Sequence, residues 1–180
     1  MRQAHIYQVD NLESLVSSAK VLSVYKRIKG NSVQLITNGA GAAIQAIDII
    51  SLKNILRLSK LSEETIENLK MQLQSHIVIN NPIDLTGTAT IKDFEIVIDN
   101  VLKDSNVDLI MIFFVFQCKP ITIEIKDIIK KYMSVKPIVC GTLGGSYAHY
   151  IGEIFESEKI PIFFSIEEWV SAAEALIQWW

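Results

Sequence analysis

The chain has 180 residues, a formal net charge of −3, 49% hydrophobic residues and a mean hydropathy of +0.28. That balance describes a globular chain long enough to bury one sizeable core, and it excludes a disordered polymer. It also argues against a nucleic-acid binder, which needs a basic face, and no uncharged apolar run reaches the roughly 18 residues of a membrane span. The N-terminus carries Arg2 and Asp10 but no apolar signal-peptide core, and two cysteines, Cys118 and Cys140, make no disulfide framework, so a cytoplasmic setting is the simplest expectation.

In chain order, Asp10 and Glu13 have capping-box spacing and open a helix over 11–22, with Leu12, Leu15, Val16, Ala19 and Leu22 on one face. Residues 26–32, containing Gly30-Asn31, read as a polar link, so 1–30 form a connector and 31–180 the main domain. From there strands alternate with helices. The first strand is 33–37; it stops at Thr37-Asn38, turns through Gly39-Ala40-Gly41 and enters a helix over 41–51. A short second strand falls at 55–58, and Ser62-Glu63-Glu64 caps a helix running through Leu73. The run 77–79 is short and apolar, and 80–87 is a loop because Pro82 blocks helix. Thr90 and Asp93 bracket another cap, opening a helix to Leu102.

Residues 107–116 make the strongest strand, continuous and apolar as in a parallel sheet covered on both faces. Pro120 suits the first turn of the next helix, whose stripe is Ile121, Ile125, Ile128, Ile129 and Tyr132. Residues 136–140 form the fourth strand, and 141–146 a second glycine-rich loop into a helix. The fifth strand is 160–164, and Ser165 with Glu168 caps the last helix, 166–180. The alternation predicts an α/β, flavodoxin-like three-layer sandwich with a five-stranded parallel sheet in the order 2-1-3-4-5. Ligands in such sheets sit beyond the carboxyl ends of the strands, near the switch point. That gathers 38–41, 81–86, 116–119 and 141–146 on one rim.

The turn Asn38, Gly39, Ala40, Gly41 is the leading candidate. A strand, a glycine turn and a helix N-terminus together present free N–H groups and a positive dipole end to an anion. Asn81, Asp84, Gly144 and Gly145 are secondary rim candidates; Asp84 reads either as a ligand contact or general base, or as an Asx-turn side chain, with the turn favoured. Cys118 reads as a rim-filling side chain rather than a reactive thiol, and Cys140 as inert core. His5 lies in the leader, His76 suits a helix C-terminus, and His149 reads as surface or packing. No His, Cys or carboxylate spacing suggests a metal site, Asp48 has no sequence partner, and no P-loop, nucleophile elbow or triad spacing is present, so no catalytic residue is expected in this chain. Trp169, Trp179 and Trp180 suit either a surface covered by another domain or the packing of the last helix on its own sheet.

A set of motifs in fixed order resembles a known family. The leader Arg2-Gln3-Ala4-His5-Ile6 through Val9-Asp10-Asn11-Leu12-Glu13-Ser14-Leu15, then Thr37-Asn38-Gly39-Ala40-Gly41, then Leu58-Ser59 to Glu63-Glu64-Thr65, then Asn81-Pro82-Ile83-Asp84-Leu85 are similar to segments of NDP-forming acyl-CoA synthetases. Lys136-Pro137-Ile138-Val139, Gly144-Gly145 and Ile160-Pro161-Ile162-Phe163 complete the pattern, which resembles the C-terminal flavodoxin-like domain of these enzymes, relatives of succinyl-CoA synthetase. The resemblance implies a part of an acetate–CoA ligase (ADP-forming) that interconverts acyl-CoA, ADP and phosphate with acid, CoA and ATP. The phosphohistidine, the CoA-binding domain and the ATP-grasp domain lie outside this chain. CoA, ADP or ATP, and Mg belong to the full enzyme, and this chain alone binds none of them. Two departures stand out: Ala42-Ala43 replaces the family's Pro-Gly, and Phe116-Gln117-Cys118-Lys119 lacks a Gly-Gly loop. The alternative is a stand-alone flavodoxin-like binding or interaction module for a phosphate-bearing ligand.

Overall fold

The computed structural model describes residues 7–178. The leader motif from Arg2 to Ile6, with His5, and Trp179 and Trp180 fall outside the described residues. The elements are α1 (Leu12–Val24), β1 (Ser32–Thr37), α2 (Ala40–Lys53), β2 (Arg57–Leu58), α3 (Glu63–Gln72), β3 (Ile83–Asp84), α4 (Ile91–Lys103), β4 (Leu109–Phe114), α5 (Ile125–Tyr132), β5 (Ile138–Thr142), α6 (Ser146–Ser157), β6 (Ile162–Phe163) and α7 (Ile166–Gln178). All named strands pair in parallel, in the order β2-β1-β4-β5-β6. That is the expected order, carried by the five expected strands.

The sheet nevertheless has six strands, not five. β3 lies inside the segment expected to be a loop. β2 is short and pairs only at Ser32 and Val33, which leaves the upper edge of β1 open. β3 takes that edge at Ile36 and Thr37. Between them, Asn81 stands in for a strand: its Oδ1 accepts from Leu35 N at 3.1 Å and its Nδ2 donates to Val33 O at 2.8 Å. A two-residue strand has no periodicity to read, so sequence patterning misses it. The Asn81–Pro82 peptide is cis.

Alternation along the strands divides the core. Ile110, Ile112 and Phe114 point to one face, packed with Leu69 of α3, Phe94 and Val97 of α4, Ile129 of α5 and Phe155 of α6. Leu109, Met111 and Phe113 point to the other, under Val21 of α1, Ala46 of α2 and Trp169 of α7. Trp169 is fully buried and donates from Nε1 to Val139 O at 2.9 Å, so it packs on its own sheet.

Four local expectations are corrected. The cap of α1 is Asn11, whose Oδ1 accepts from Ser14 N at 2.7 Å, not Asp10. Its buried positions are Ser17, Ser18 and Val21; Leu12, Leu15 and Val16 are 69, 51 and 59% exposed. The helix lies against α7 with Ser17, Ser18 and Val21 inward and Leu22 half-buried beside them, leaving Leu12, Leu15 and Val16 outside. Helix α5 begins at Ile125, so Pro120 sits in the preceding turn. Finally, Gly141 and Thr142 belong to β5, and the loop into α6 is only 143–145.

α1 is joined to the main body by specific bonds. Tyr25 donates its hydroxyl to Ile138 O at 2.9 Å and accepts from Ile138 N at 3.1 Å, satisfying both peptide groups. Ile28 N donates to Leu176 O at 2.9 Å. Lys20 reaches Glu156 and the carbonyl of Ile162.

Candidate functional site

The carboxyl end of the sheet brings the predicted turn beside the ends of β3, β4 and β5. Thr37 folds its hydroxyl over the turn, accepting from Gly39 N and donating to Gly39 O, both at 3.0 Å. Asn38 is 1% exposed and docks on the end of β4. Its Oδ1 accepts from Val115 N at 2.8 Å and its Nδ2 donates to Val115 O at 3.2 Å. The Asn38 side chain is therefore a clamp, and what the turn offers a ligand is backbone.

The two glycines of the turn do different things. A Cβ on Gly39 would stand 2.8 Å from Val115 Cγ2, whereas a Cβ on Gly41 meets nothing within 4 Å. Gly39 is demanded by the neighbouring strand; Gly41 faces open space in the first turn of α2. No side chain caps that first turn. The same is true of α6, entered through Gly145, which is likewise open. By contrast α3, α4 and α7 start on hydroxyl caps from Ser62, Thr90 and Ser165. α5, entered through Glu124, also lacks a side-chain cap; the two bare N-termini entered through glycine follow β1 and β5, the strands that flank β4, and their N–H groups and dipole ends favour an anion.

Gly144 is required by its backbone, with a φ of +121°; the atom nearest to a Cβ there, Gln117 Nε2 at 2.0 Å, ends an exposed side chain that can swing aside. Gln117 lies across the glycine loop, so the loops after β4 and β5 share one ledge. Thr142 ties them further by donating to Phe114 O at 2.9 Å. In sequence, Thr37 enters only as the strand end and motif residue before Asn38, Gln117 only within the rim segment 116–119, and Val115 not as a site residue at all. A Thr before Asn-Gly carries a weak hydroxyl-turn signal; the other two carry none.

Asp84 makes the Asx turn favoured from sequence, accepting on Oδ1 from Thr86 N at 2.9 Å. It holds Thr86 at φ +64°, where a β-branched residue is strained. Leu85 N donates to Thr37 O at 2.8 Å, so this bend leans on the candidate turn. Asn81 spends its amide on β1, as above. Cys118 sits half-buried against Gly87. Cys140 is fully buried, and burial pushes its thiol far above the ordinary range, which makes it inert core. His149 is exposed and stacked on Phe164, ring centroids 4.4 Å apart. His76 stands in a turn beyond the end of α3, so it does not cap that helix. Asp48 is exposed on α2. Among the described residues no group of three or more His, Cys, Asp or Glu is placed to hold a metal ion, and no helix is long and apolar enough to cross a membrane.

The fold and rim define the class: a parallel α/β chain with two glycine-entered, uncapped helix N-termini flanking β4 at the carboxyl edge of its sheet. No protein-family model matches the chain. Its homologues are alpha subunits of ADP-forming acetate–CoA ligase, as the motif resemblance implied. It is 28% identical over 183 residues to subunit alpha of acetate–CoA ligase [ADP-forming] II of Pyrococcus furiosus, covering 98% of this chain and 40% of the relative. It is 25% identical to the corresponding isoform I subunit of the same organism, over 99% of this chain and 39% of the relative. The chain thus spans about two fifths of the curated relatives it matches. Among solved structures, a Pyrococcus horikoshii protein superposes with a TM-score of 0.87 at 25% identity, covering 98% of this chain and 42% of that one. A dinucleotide-forming acetyl-coenzyme A synthetase 1 of Candidatus Korarchaeum cryptofilum gives 0.84 at 26% identity, covering 97% and 39%.

Proposed function

We propose that this chain is a site-completing domain or subunit of a cytoplasmic ADP-forming acyl-CoA synthetase. The reaction is acyl-CoA + ADP + phosphate ⇌ acid + CoA + ATP, carried through a phosphohistidine on another domain. The observation that carries this reading is similarity over nearly the whole chain to acetate–CoA ligase alpha subunits. CoA-binding, phosphohistidine and ATP-grasp domains are the partners, and they bring CoA, nucleotide and Mg.

Within that reading the chain supplies no nucleophile and no proton donor. It supplies fixed dipoles. The N–H groups of Ala40, Gly41 and Ala42 open α2 without a capping side chain, so they remain available to an anionic phosphoryl group presented by a partner domain. Thr37 and Asn38 hold those donors still by fastening the turn to itself and to β4. Gly144 and Gly145 offer a second such end across the ledge.

Reconstitution tests this. The chain is mixed with the remainder of the enzyme lacking this domain, and ATP formation from acetyl-CoA, ADP and phosphate is followed. Restored activity that falls at least tenfold with Gly41→Val, at unchanged folding, supports the reading, since one oxyanion-type donor is worth about a hundredfold or more. Gly41 is the informative site because a side chain there meets nothing in the fold. Full activity without this chain overturns the reading and leaves a stand-alone module for a phosphate-bearing ligand.

A further inference from the structure

The two glycine-entered helices share more than bare N-termini. α6 sends Ile151 and Phe155 into the core, yet its opening turns expose Tyr147 and Tyr150 at 51 and 60%, and Leu143, in the loop before them, is 42% exposed. The two tyrosines are spaced as neighbours on one helical face. α2 lies in the other layer. Its fifth residue, Ile44, is 52% exposed, just as Tyr150 is the exposed fifth residue of α6. Large apolar side chains thus bracket the carboxyl edge of the sheet from both layers. Single exposed apolar residues are ordinary on a surface; a group of them marks a contact.

The same edge is without charge. In a chain with 21% charged residues, no Asp, Glu, Lys or Arg occurs in 33–47, 85–91, 109–118 or 141–152. These segments run into or out of the carboxyl ends of β1, β3, β4 and β5 and include the openings of α2 and α6. Lys119 directly follows the third; neither bare helix N-terminus has a cation in its own run. Free phosphate is held by arginine forks and lysine ammonium groups. A lone helix end in water holds an anion only weakly, because solvent and salt screen it. The edge therefore suits an anion that arrives already attached to something that docks. Absence of charge together with exposed tyrosine is the composition of a protein–protein interface core. Covering the edge with protein also expels water, which strengthens the dipoles of α2 and α6. The curated relatives contain protein to do so, since the greater part of their length lies outside the match.

We propose that Leu143, Tyr147 and Tyr150 are the docking surface for the protein domain that carries the phosphoryl group. The proposal rests on the ligase reading and adds to it where the partner seats and in what form the anion comes: bound covalently to protein, not as free phosphate. Tyrosines suit this task because they bring large apolar area with little rotamer freedom to lose.

The test titrates the full chain into the remainder of the enzyme lacking this domain, with binding read by calorimetry. The double variant Tyr147→Ala/Tyr150→Ala is expected to bind at least about tenfold more weakly than the parent, the loss typical of interface anchors, with unchanged circular dichroism. Leu52→Ser, which removes an 83% exposed apolar side chain at the opposite end of α2, is the control and should bind like the parent. Inorganic phosphate titrated into the chain alone at millimolar concentration should show no saturable binding. A double variant that binds as tightly as the parent, an equal loss in Leu52→Ser, or saturable phosphate binding by the chain alone overturns the docking surface and leaves the ligase reading standing. A parent chain that does not bind the remainder at all fails the ligase reading and this proposal with it. Should the double variant misfold, Tyr150→Lys, which keeps a good helix former and sets a charge on the face, decides by the same criterion.

Discussion

Replacing Gly39 by alanine separates close approach from backbone freedom as the reason for glycine at the candidate turn. The φ of Gly39 is −167°, extended backbone open to any residue, so alanine meets no conformational barrier. The new Cβ would stand 2.8 Å from Val115 Cγ2, roughly 0.7 Å short of the closest comfortable carbon separation of about 3.5 Å. Val115 cannot swing aside cheaply, because a β-branched side chain is stiff at χ1. Nor can its backbone retreat, because both its peptide groups are bonded to Asn38. Overpacking of this kind costs about 1–3 kcal/mol, or a fall of roughly 2–12 °C in the melting midpoint for a chain of this size. Val115→Ala removes the obstructing methyl. The double-mutant cycle, measured by urea unfolding, should therefore return a favourable coupling of about 1 kcal/mol or more. A Gly39→Ala protein as stable as the parent, or strictly additive changes in the double variant, would refute the clash. Gly41→Ala is the internal contrast: with nothing in reach and a helical backbone, it should be neutral or stabilising by up to about 1 kcal/mol.

Four further outcomes follow from named contacts. Asp104 is buried; burial alone would raise its carboxyl, but hydrogen bonds from Ser62 N and Asn106 N outweigh this and hold it below the ordinary range. Its contribution is thus present above the unfolded carboxylate pKa and lost as pH falls through the lower folded one; Asp104→Asn should cost about 2–3 kcal/mol near pH 7 and progressively less in acid, read by denaturant unfolding across pH. Asn81→Leu, which strands Leu35 N while Val33 O keeps its bond from Ser59 N, should cost about 1–3 kcal/mol and speed amide exchange at Leu35. Tyr25→Phe removes the hydroxyl that satisfies both peptide groups of Ile138, and a loss of about 1–3 kcal/mol in thermal unfolding is expected. Thr86→Asn relieves a β-branched residue at φ +64° and should stabilise by up to about 1 kcal/mol, with a raised melting midpoint as the check.

The long elements were legible because their physics is local. The helix at Thr90 follows from a capping box and an apolar stripe, and β4 from a continuous run of residues buried on both faces. The parallel order followed from strand–helix alternation, since right-handed crossovers leave few topologies. The candidate turn was legible as a unit, and Asp84 as a turn former. The division of labour inside the turn was not. Whether Asn38 faces a ligand or a neighbouring strand depends on Val115, 77 residues away, and no local pattern records it.

What the sequence by itself determined is the alternation, the caps, the apolar strands and the glycine turn that opens α2, all set by interactions within a few residues. Tertiary structure alone decided that β3 fills the edge β2 leaves open and that α1 turns Ser17, Ser18 and Val21 inward while Leu12 and Leu15 stay outside. It also decided that Gly39 answers to a valine while Gly41 answers to nothing in the fold. Those outcomes depend on which surfaces meet after the chain has closed on itself, and long-range contact carries no periodicity from which it could be read in advance.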